Sequence, residues 1–476
     1  MMDYPFWLAG QPCRSAQALD VTNPYDGSGV GRTWLAGEAE FDRAAAAAVD
    51  AAATMRQLPA YERGAILKRA SEEIARRREE MARTLAREAG KPIRDAQTEV
   101  DRATMTFQVA GEEARRIGGE VVPMDLAPHG VGRIGLARRF PIGPVAAISP
   151  FNFPMNLAAH KVAPAVAAGN PVVLKPATKT PLSALYLADV LLNAGLPPAA
   201  ISVLPMARQA GDRLVTDDRF KLLTFTGSSA VGWKMKERAG RKKVILELGG
   251  NAGVIVDDGA DVDFAARRVA TGGFAFAGQS CISVQRVYAH ARIFDSFAAR
   301  LVELVERLRI GDPLDPSTDL GPMIEEDEAA RIESWVAEAV AGGARILTGG
   351  KRLGAAVYAP TVLTDVSPDA RVCAHEVFAP LVAVFPFREF GAALHEVNRS
   401  SYGLQAGVFT ASLEHTLEAF DRLEVGGVIV NDVPTWRIDH MPYGRVKDSG
   451  LGREGPRYTI EEMTELKLLV INRDRR

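Results

Sequence analysis

Apolar residues recur at helical spacing through residues 40–117, set among alanine, arginine and glutamate, and this pattern predicts a run of amphipathic helices after an extended start. The arginines and glutamates of that run read as a solvated face with i,i+4 pairing rather than as a ligand site. Residues 131–140 alternate loosely with charge on one side, as a strand with one wet face would, and Pro141-Ile-Gly-Pro144 ends it. From Val145 the texture changes to short apolar strands, at 145–148, 171–175, 201–204 and 222–226, separated by helices. Thr180 is expected to cap one of these helices with Pro181 at its first position and Gly195 as its stop; another begins at Ser228 and ends near Gly240. Beyond Gly250 the alternation resumes: a strand at 253–256, a helix from Asp261, a strand at 283–288, and helices at 294–308 and 325–341.

Strands joined through helices of this length need crossovers, so the fold expected is α/β, with two doubly wound, mostly parallel α/β domains. Gly249-Gly250 is the expected hinge between them, which puts Glu247 and Cys281 on opposite sides of a crevice at the carboxyl ends of strands, where such sheets bind ligands. The tail at 465–472 is a strand with no nearby partner in sequence. Together with the strand near 133–140 it fits a protruding β flap for subunit contacts, and it fits equally an edge strand within its own domain. The division expected is residues 1–124 and 142–249 in the first domain, 250–445 in the second, and 125–141 with 446–476 in the flap.

A length of 476 residues is too great for one ordinary core and agrees with two or three domains. Apolar content of 47% and charged content of 24% are those of a globular protein, and a net charge of −2 gives no reason to expect nucleic acid or an anionic membrane as partner. The start, Met1-Met-Asp-Tyr-Pro, lacks the features of a signal peptide, and no apolar run reaches spanning length; residues 145–174 are broken by Asn152, Asn156, His160, Lys161 and prolines. A cytoplasmic protein is expected. Cys13, Cys281 and Cys373 lie too far apart in sequence for a disulfide framework, and the seven histidines show no metal-ligand spacing, so no metal is expected.

The candidate chemistry centres on Phe274-Ala-Phe-Ala-Gly-Gln-Ser-Cys281, a cysteine after a glycine-containing, uncharged approach. A single cysteine is more often a small buried hydrophobe than a nucleophile, so the reading depends on what could activate it. Upstream, Leu246-Glu-Leu-Gly-Gly250 ends an apolar strand with a carboxylate, Glu247. No G-x-G-x-x-G follows a strand; the best dinucleotide cradle is Phe225-Thr-Gly-Ser-Ser-Ala-Val-Gly232, in which Gly227 makes the turn, Ser228 stands at the helix start and Gly232 lies one turn on.

Seven stretches in order make the chain resemble the NAD(P)-dependent aldehyde dehydrogenases: Ser149-Pro-Phe-Asn-Phe-Pro154, Leu174-Lys-Pro-Ala177, Phe225-Thr-Gly-Ser228, Leu246-Glu-Leu-Gly-Gly250, Gly278-Gln-Ser-Cys281, Glu376-Val-Phe378 and Pro442-Tyr-Gly-Arg-Val-Lys-Asp-Ser-Gly450. The resemblance implies that the first domain binds the cofactor, the second is catalytic and the flap bridges subunits of a homodimer or homotetramer. It implies that Cys281 attacks the aldehyde, that the Asn152 amide and the Cys281 N–H hold the oxyanion, and that Glu247 activates water to hydrolyse the resulting thioester. It assigns Lys175 to the adenosine ribose and Glu376 to the nicotinamide ribose, with Phe378 beside the ring. Where many members carry a glutamate three residues after the lysine, this chain has Thr178, which neither holds both ribose hydroxyls nor repels a 2′-phosphate; Lys179 and Arg208 are cations nearby in sequence. NADP is therefore expected to be accepted alongside NAD. Asn156, Leu157 and His160, Ser280 and Ile282, and Trp436, Arg437 and His440 are expected to line the substrate funnel, and their polarity suggests a small polar or anionic aldehyde such as a hydroxyaldehyde, semialdehyde or phosphonoaldehyde. Two other readings stand beside this one: a CoA-acylating dehydrogenase, which would not need Glu247 as a base, and a non-catalytic binding protein, which would not need Cys281, Glu247 and Asn152 together.

Overall fold

Two parallel sheets, each sandwiched by helices, carry the computed structural model, which describes residues 1–444 and 446–473. The first has eight strands in the order Gly450–Leu451, Lys243–Glu247, Leu222–Thr226, Val145–Ile148, Val172–Lys175, Ile201–Val203, Phe6–Leu8 and Gln11–Cys13. The middle five run parallel, as crossover helices require, and the edges are closed by antiparallel neighbours. Register then decides what meets at the carboxyl edge. Ile148 lies beside both Lys175 and Phe225, and Thr226 lies beside Glu247, so the chain leaving each strand opens onto one rim.

The second sheet runs Arg345–Thr348, Thr361–Thr364, Leu381–Phe387, Val284–His290, Ala252–Val256, Gln405–Phe409 and Gly427–Val430, parallel except for its first strand. Gly249-Gly250 is the passage from the last parallel strand of one sheet to a central strand of the other. Among the described residues no helix is long and apolar enough to cross a membrane, and no group of three metal-ligating side chains comes together.

The helical stretch near 40–117 resolves into Glu38–Gln57, Ala60–Arg76, Arg78–Ala89 and Ile93–Ala114. Not all of its charge is solvated. Glu88, Lys91 and Glu99 are buried, and each serves a distant element. Glu88 accepts hydrogen bonds from the Leu182 and Ser183 amides at 2.7 and 2.9 Å and so caps the Leu182–Asn193 helix. The cap expected from Thr180 does not form, because its hydroxyl turns to the Phe151 carbonyl at 3.2 Å. Gly195 does end that helix, at φ 91°, a left-handed position suited to glycine.

The flap is a three-stranded antiparallel sheet: Thr464–Asn472 pairs along its whole length with Arg133–Pro141, which pairs in turn with Gly119–Val122. The expected boundaries shift accordingly. Residues 119–122 join the flap by strand pairing, whereas Gly450–Leu451 pairs with Leu246 and Glu247 of the first sheet, and the Pro456–Glu462 helix packs on the Asn156–Ala168 helix.

Candidate active site

Between the two sheets the sequence has to deliver Cys281 from the far side. After the Val262–Phe274 helix the chain takes three left-handed residues in succession, Phe276, Ala277 and Gly278, at φ 48°, 53° and 68°. The two non-glycine positions each cost about 1–2 kcal/mol, so the turn persists only if its surroundings hold it. Phe276 meets Phe153 edge-on with centroids 6.1 Å apart, and the Lys91 ammonium lies 3.7 Å from the Phe153 ring centroid and 4.3 Å from that of Phe276. A side chain on Gly278 would run into the Ala379 carbonyl. Gln279 ties the turn down further, its Oε1 accepting from the Ile324 amide at 2.8 Å.

Asn152 follows the strand Val145–Ile148 and is buried. Its side-chain amide donates to the Gln279 carbonyl at 2.9 Å, and its own carbonyl accepts from Lys91 at 2.7 Å. One N–H of that amide is thereby spent on the backbone two residues before Cys281, which fixes the direction of the other. Among the described residues the Cys281 N–H makes no hydrogen bond. Lys91 is paired with Glu99, whose other oxygen accepts from the Met155 and Asn156 amides at 3.0 and 3.1 Å and caps the Asn156–Ala168 helix.

Cys281 keeps part of its surface open to solvent, yet it lies deep enough that burial pushes its thiol up to about 11, so the resting sulfur is protonated. Among the described residues its one hydrogen-bonding neighbour is the Tyr443 hydroxyl at 3.2 Å. Glu247 ends its strand buried, its carbonyl accepting from the Gly227 amide at 3.0 Å. Glu376 folds onto the passage between the sheets: its carboxylate accepts from the Gly250 amide at 2.8 Å, and burial pushes its pKa up to about 7. A Cβ on Gly250 would stand 2.0 Å from the Cys281 carbonyl, so this glycine lets the passage from Glu247 lie directly against the cysteine.

On the cofactor side, Lys175 is half-buried with its pKa pulled down to about 8 by burial, and its stem occupies the space where Gly211 has no side chain. Thr178 is half-buried; Lys179 reaches away to Glu325 at 2.7 Å, and Arg208 is exposed at the start of the short helix that carries Gly211. Ser228 precedes the Ser229–Arg238 helix; the Val231 and Gly232 amides go to the Ser228 carbonyl, while those of Ser229 and Ala230 have no intrahelical acceptor and suit a pyrophosphate. Gly232 has another use: a Cβ there would stand 2.3 Å from Leu248 Cδ2, so it admits helix against sheet rather than a ligand. Phe378, at φ 50°, meets Phe151 edge-on at 5.9 Å, one residue from Asn152.

The expected funnel residues separate into two groups. Ser280 is half-buried beside the cysteine, Ile282 is buried beneath it with Tyr443 and Leu404, and Trp436 and His440 are exposed. Asn156 and His160 do not line an open funnel, because both have no accessible surface and are spent on Asp439, at 3.1 and 2.8 Å from its Oδ1. Asp439 also receives a two-pronged hydrogen bond from Arg102 at 3.0 and 2.9 Å. Burial opposes its ionisation, but His160 and Arg102 overcome that and hold the carboxyl far below the usual range. Burial and the nearby Arg437 keep His160 neutral, and the acceptor assigns its proton to Nε2. Arg437, half-buried, stands beside this layer with Nη2 3.3 Å from His160 Nε2 and 3.1 Å from Glu454, and its guanidinium lies 3.7 Å from the Tyr443 ring centroid. Sequence reasoning missed Lys91, Glu99 and Asp439, and it gave Tyr443 no role although it stands in the stretch Pro442–Gly450; the lysine in Gly90-Lys91-Pro92, between two amphipathic helices, is the local signal among the first three.

The aldehyde dehydrogenase family model matches residues 11–469. The chain belongs to the aldehyde dehydrogenase family. A 3-sulfolactaldehyde dehydrogenase of Priestia aryabhattai is 46% identical over 470 residues, 98% of each chain. The crystal structure of aldehyde dehydrogenase 21 from Physcomitrella patens, in complex with the reaction product succinate, superposes with a TM-score of 0.97 at 48% identity, covering 99% of this chain and 98% of that one. A glyceraldehyde-3-phosphate dehydrogenase of Methanocaldococcus jannaschii, complexed with NADP, gives 0.92 at 38% identity over 95% and 99%. The protein is thus an NAD(P)-dependent aldehyde dehydrogenase of α/β fold.

Proposed function

We propose that this aldehyde dehydrogenase works through Cys281, Asn152 and Glu247 on a small anionic aldehyde. The observation that carries the reading is the Asn152 amide, anchored on the Gln279 carbonyl beside an unspent Cys281 N–H, on the rim where Glu247 ends its strand. The Cys281 sulfur, once deprotonated, adds to the aldehyde carbon, and the electron pair of the C=O bond moves to oxygen. Asn152 and the Cys281 N–H stabilise that oxyanion; one such donor lowers the barrier by about 2.7–4 kcal/mol. A bound nicotinamide dinucleotide supplies the acceptor for the hydride that leaves the carbon. Glu247 then takes a proton from water as the water attacks the thioester; the C–S bond breaks with its electrons on sulfur, and the carboxylate leaves. Reduced nicotinamide should accordingly form without added CoA.

Thr178 in place of a carboxylate, with Arg208 exposed on the helix whose Gly211 packs on Lys175, supports acceptance of NADP. The expected result is kcat/KM with NADP equal to or above that with NAD; strict NAD dependence would sink the assignment.

Arg437 gives the substrate class. It is a half-buried residue with a side chain only 5% exposed, its charge is felt at the Cys281 sulfur, and among the described residues its Nε has no hydrogen-bond partner. Asn156 and His160 act behind it by holding Asp439, not by touching substrate. Sulfolactaldehyde, glyceraldehyde 3-phosphate and the semialdehyde corresponding to succinate share an anion borne two carbons beyond the aldehyde or just past them. In a panel of short aldehydes, those with such an anion should exceed neutral isosteres by about tenfold or more in kcat/KM, the worth of one charged hydrogen bond. Best turnover of long-chain or aromatic aldehydes would reject this class.

The flap supports a homodimer or homotetramer. Leu466, Leu468 and Val470 are exposed on a strand that is the open edge of its sheet, Gly427–Val430 is an open edge of the second sheet, and Leu413, Leu417 and Phe420 form an exposed stripe beside it. Edges and apolar surface of this extent are liabilities in a monomer. Light scattering should find an oligomer that Leu468→Lys with Val470→Lys dissociates; a monomeric parent protein would overturn the reading.

A further inference from the structure

We propose that Tyr443 is a catalytic residue: its hydroxyl donates a hydrogen bond to Cys281 Sγ whenever the sulfur carries negative charge, first as the nucleophile and again when the thioester C–S bond breaks. The inference rests on Cys281 being the nucleophile, as above. Tyr443 Oη lies 3.2 Å from the sulfur and, among the described residues, has no other hydrogen-bond partner. Its position is fixed from three sides. Antiparallel pairing sets Tyr443 opposite Glu454 and Gly444 opposite Arg453; Ile282 and Leu404 pack with it; and Arg437 lies on the ring face at 3.7 Å, held by Glu454 at 3.1 Å.

A guanidinium on the face of a phenol draws electron density from the ring, which strengthens O–H donation, and it is worth more where water is excluded. The charged and titratable groups that act on the sulfur are Tyr443, Arg437, Glu376 and Glu454, with Glu247 at the end of the neighbouring strand. The two carboxylates Glu376 and Glu454 work against a thiolate; Tyr443 and Arg437 work for it. Burial and the adjacent thiol push the Tyr443 hydroxyl well above its ordinary range, so it stays protonated and serves as a donor, not a base. In both steps the covalent balance is unchanged by Tyr443: the sulfur gives up its proton to solvent water before attack and regains an electron pair at C–S cleavage, and the phenol proton stays on oxygen throughout.

Tyr443→Phe removes only the hydroxyl and leaves the packing in place. In the intact enzyme without substrate, iodoacetamide alkylation of Cys281, resolved by mass spectrometry, should slow at least about threefold at neutral pH. That figure is a tenfold loss of thiolate, partly offset by the greater nucleophilicity of a less acidic thiol. The rate should also continue to climb to higher pH before levelling. With substrate, both the burst of reduced nicotinamide and the steady-state rate should fall. An unchanged or faster alkylation in a variant that melts like the parent overturns the proposal and makes Tyr443 a packing residue or an acceptor for the S–H. If Tyr443→Phe melts early, Arg437→Lys gives the second reading: it keeps a cation for Glu454 but loses the planar stack, and it should slow alkylation in the same direction; no change there overturns the proposal. Failure of the underlying reading would look different, since Cys281→Ala would then retain turnover.

Discussion

Glu247→Gln is expected to give an enzyme that turns over once and stops. The first half of the reaction, sulfur addition and loss of hydride, needs no water, whereas thioester hydrolysis needs a base within reach of one. A positioned base contributes about 10²–10⁴-fold, so steady-state turnover should fall by that factor. A burst of reduced nicotinamide equal to the number of active sites should precede the stall, and intact-protein mass spectrometry should find the acyl group on Cys281. Cys281→Ala should lose burst and turnover together. The contrast follows from where the two residues stand: Glu247 is buried at the end of the first sheet's last parallel strand, and Cys281 comes across from the second domain. If Glu247→Gln loses the burst as well, the carboxylate acts on the thiol, and the assignment of Glu247 to water alone is wrong.

What made this much readable from the chain is the link between strand order and site. Apolar runs at 145–148, 171–175 and 222–226, interrupted by helices, specify parallel strands, and parallel strands deliver the residues that follow them to one edge. Asn152, Lys175, Ser228 and Glu247 therefore share a rim for a reason visible in the periodicity. Charge was less legible. Glu88 and Glu99 sit among solvated arginines and glutamates with no local mark of burial, because the partners that make their burial tolerable are the amide groups of Leu182, Ser183, Met155 and Asn156, far along the chain; Lys91 in turn depends on Glu99 and the distant Asn152 carbonyl. His160 shows the converse. Its place on a helix near the nucleophile suggests contact with substrate, but Asp439, which arrives from a loop 279 residues later, claims its Nε2. Tyr443 is invisible to spacing for the same reason, since its meaning lies wholly in the sulfur it faces.

Lys91→Met should therefore be the most damaging substitution outside the reacting atoms. Lys91 and Glu99 both lack accessible surface, and Glu99 also caps the Asn156–Ala168 helix through two amides. Removing the cation leaves that carboxylate buried with helix amides alone, and breaking a buried pair from one side costs about 3–5 kcal/mol. Denaturant titration should read a loss of that size. Activity should fall beyond what stability explains, because the same ammonium holds the Asn152 carbonyl and bridges the Phe153 and Phe276 rings, so the oxyanion amide and the strained turn before Cys281 lose their common support. The loss should appear in kcat measured on the folded fraction, with KM for the cofactor little changed, since among the described residues the hydrogen bonds of Lys91 go to Glu99 and the Asn152 carbonyl and none to Lys175 or Ser228. Glu99→Gln sets the comparison: its amide oxygen can still accept from Met155 and Asn156, and Lys91 can still reach Asn152, so kcat should suffer less than in Lys91→Met. Equal kcat losses from the two would mean that the ion pair itself, and not the hold on Asn152, matters for catalysis.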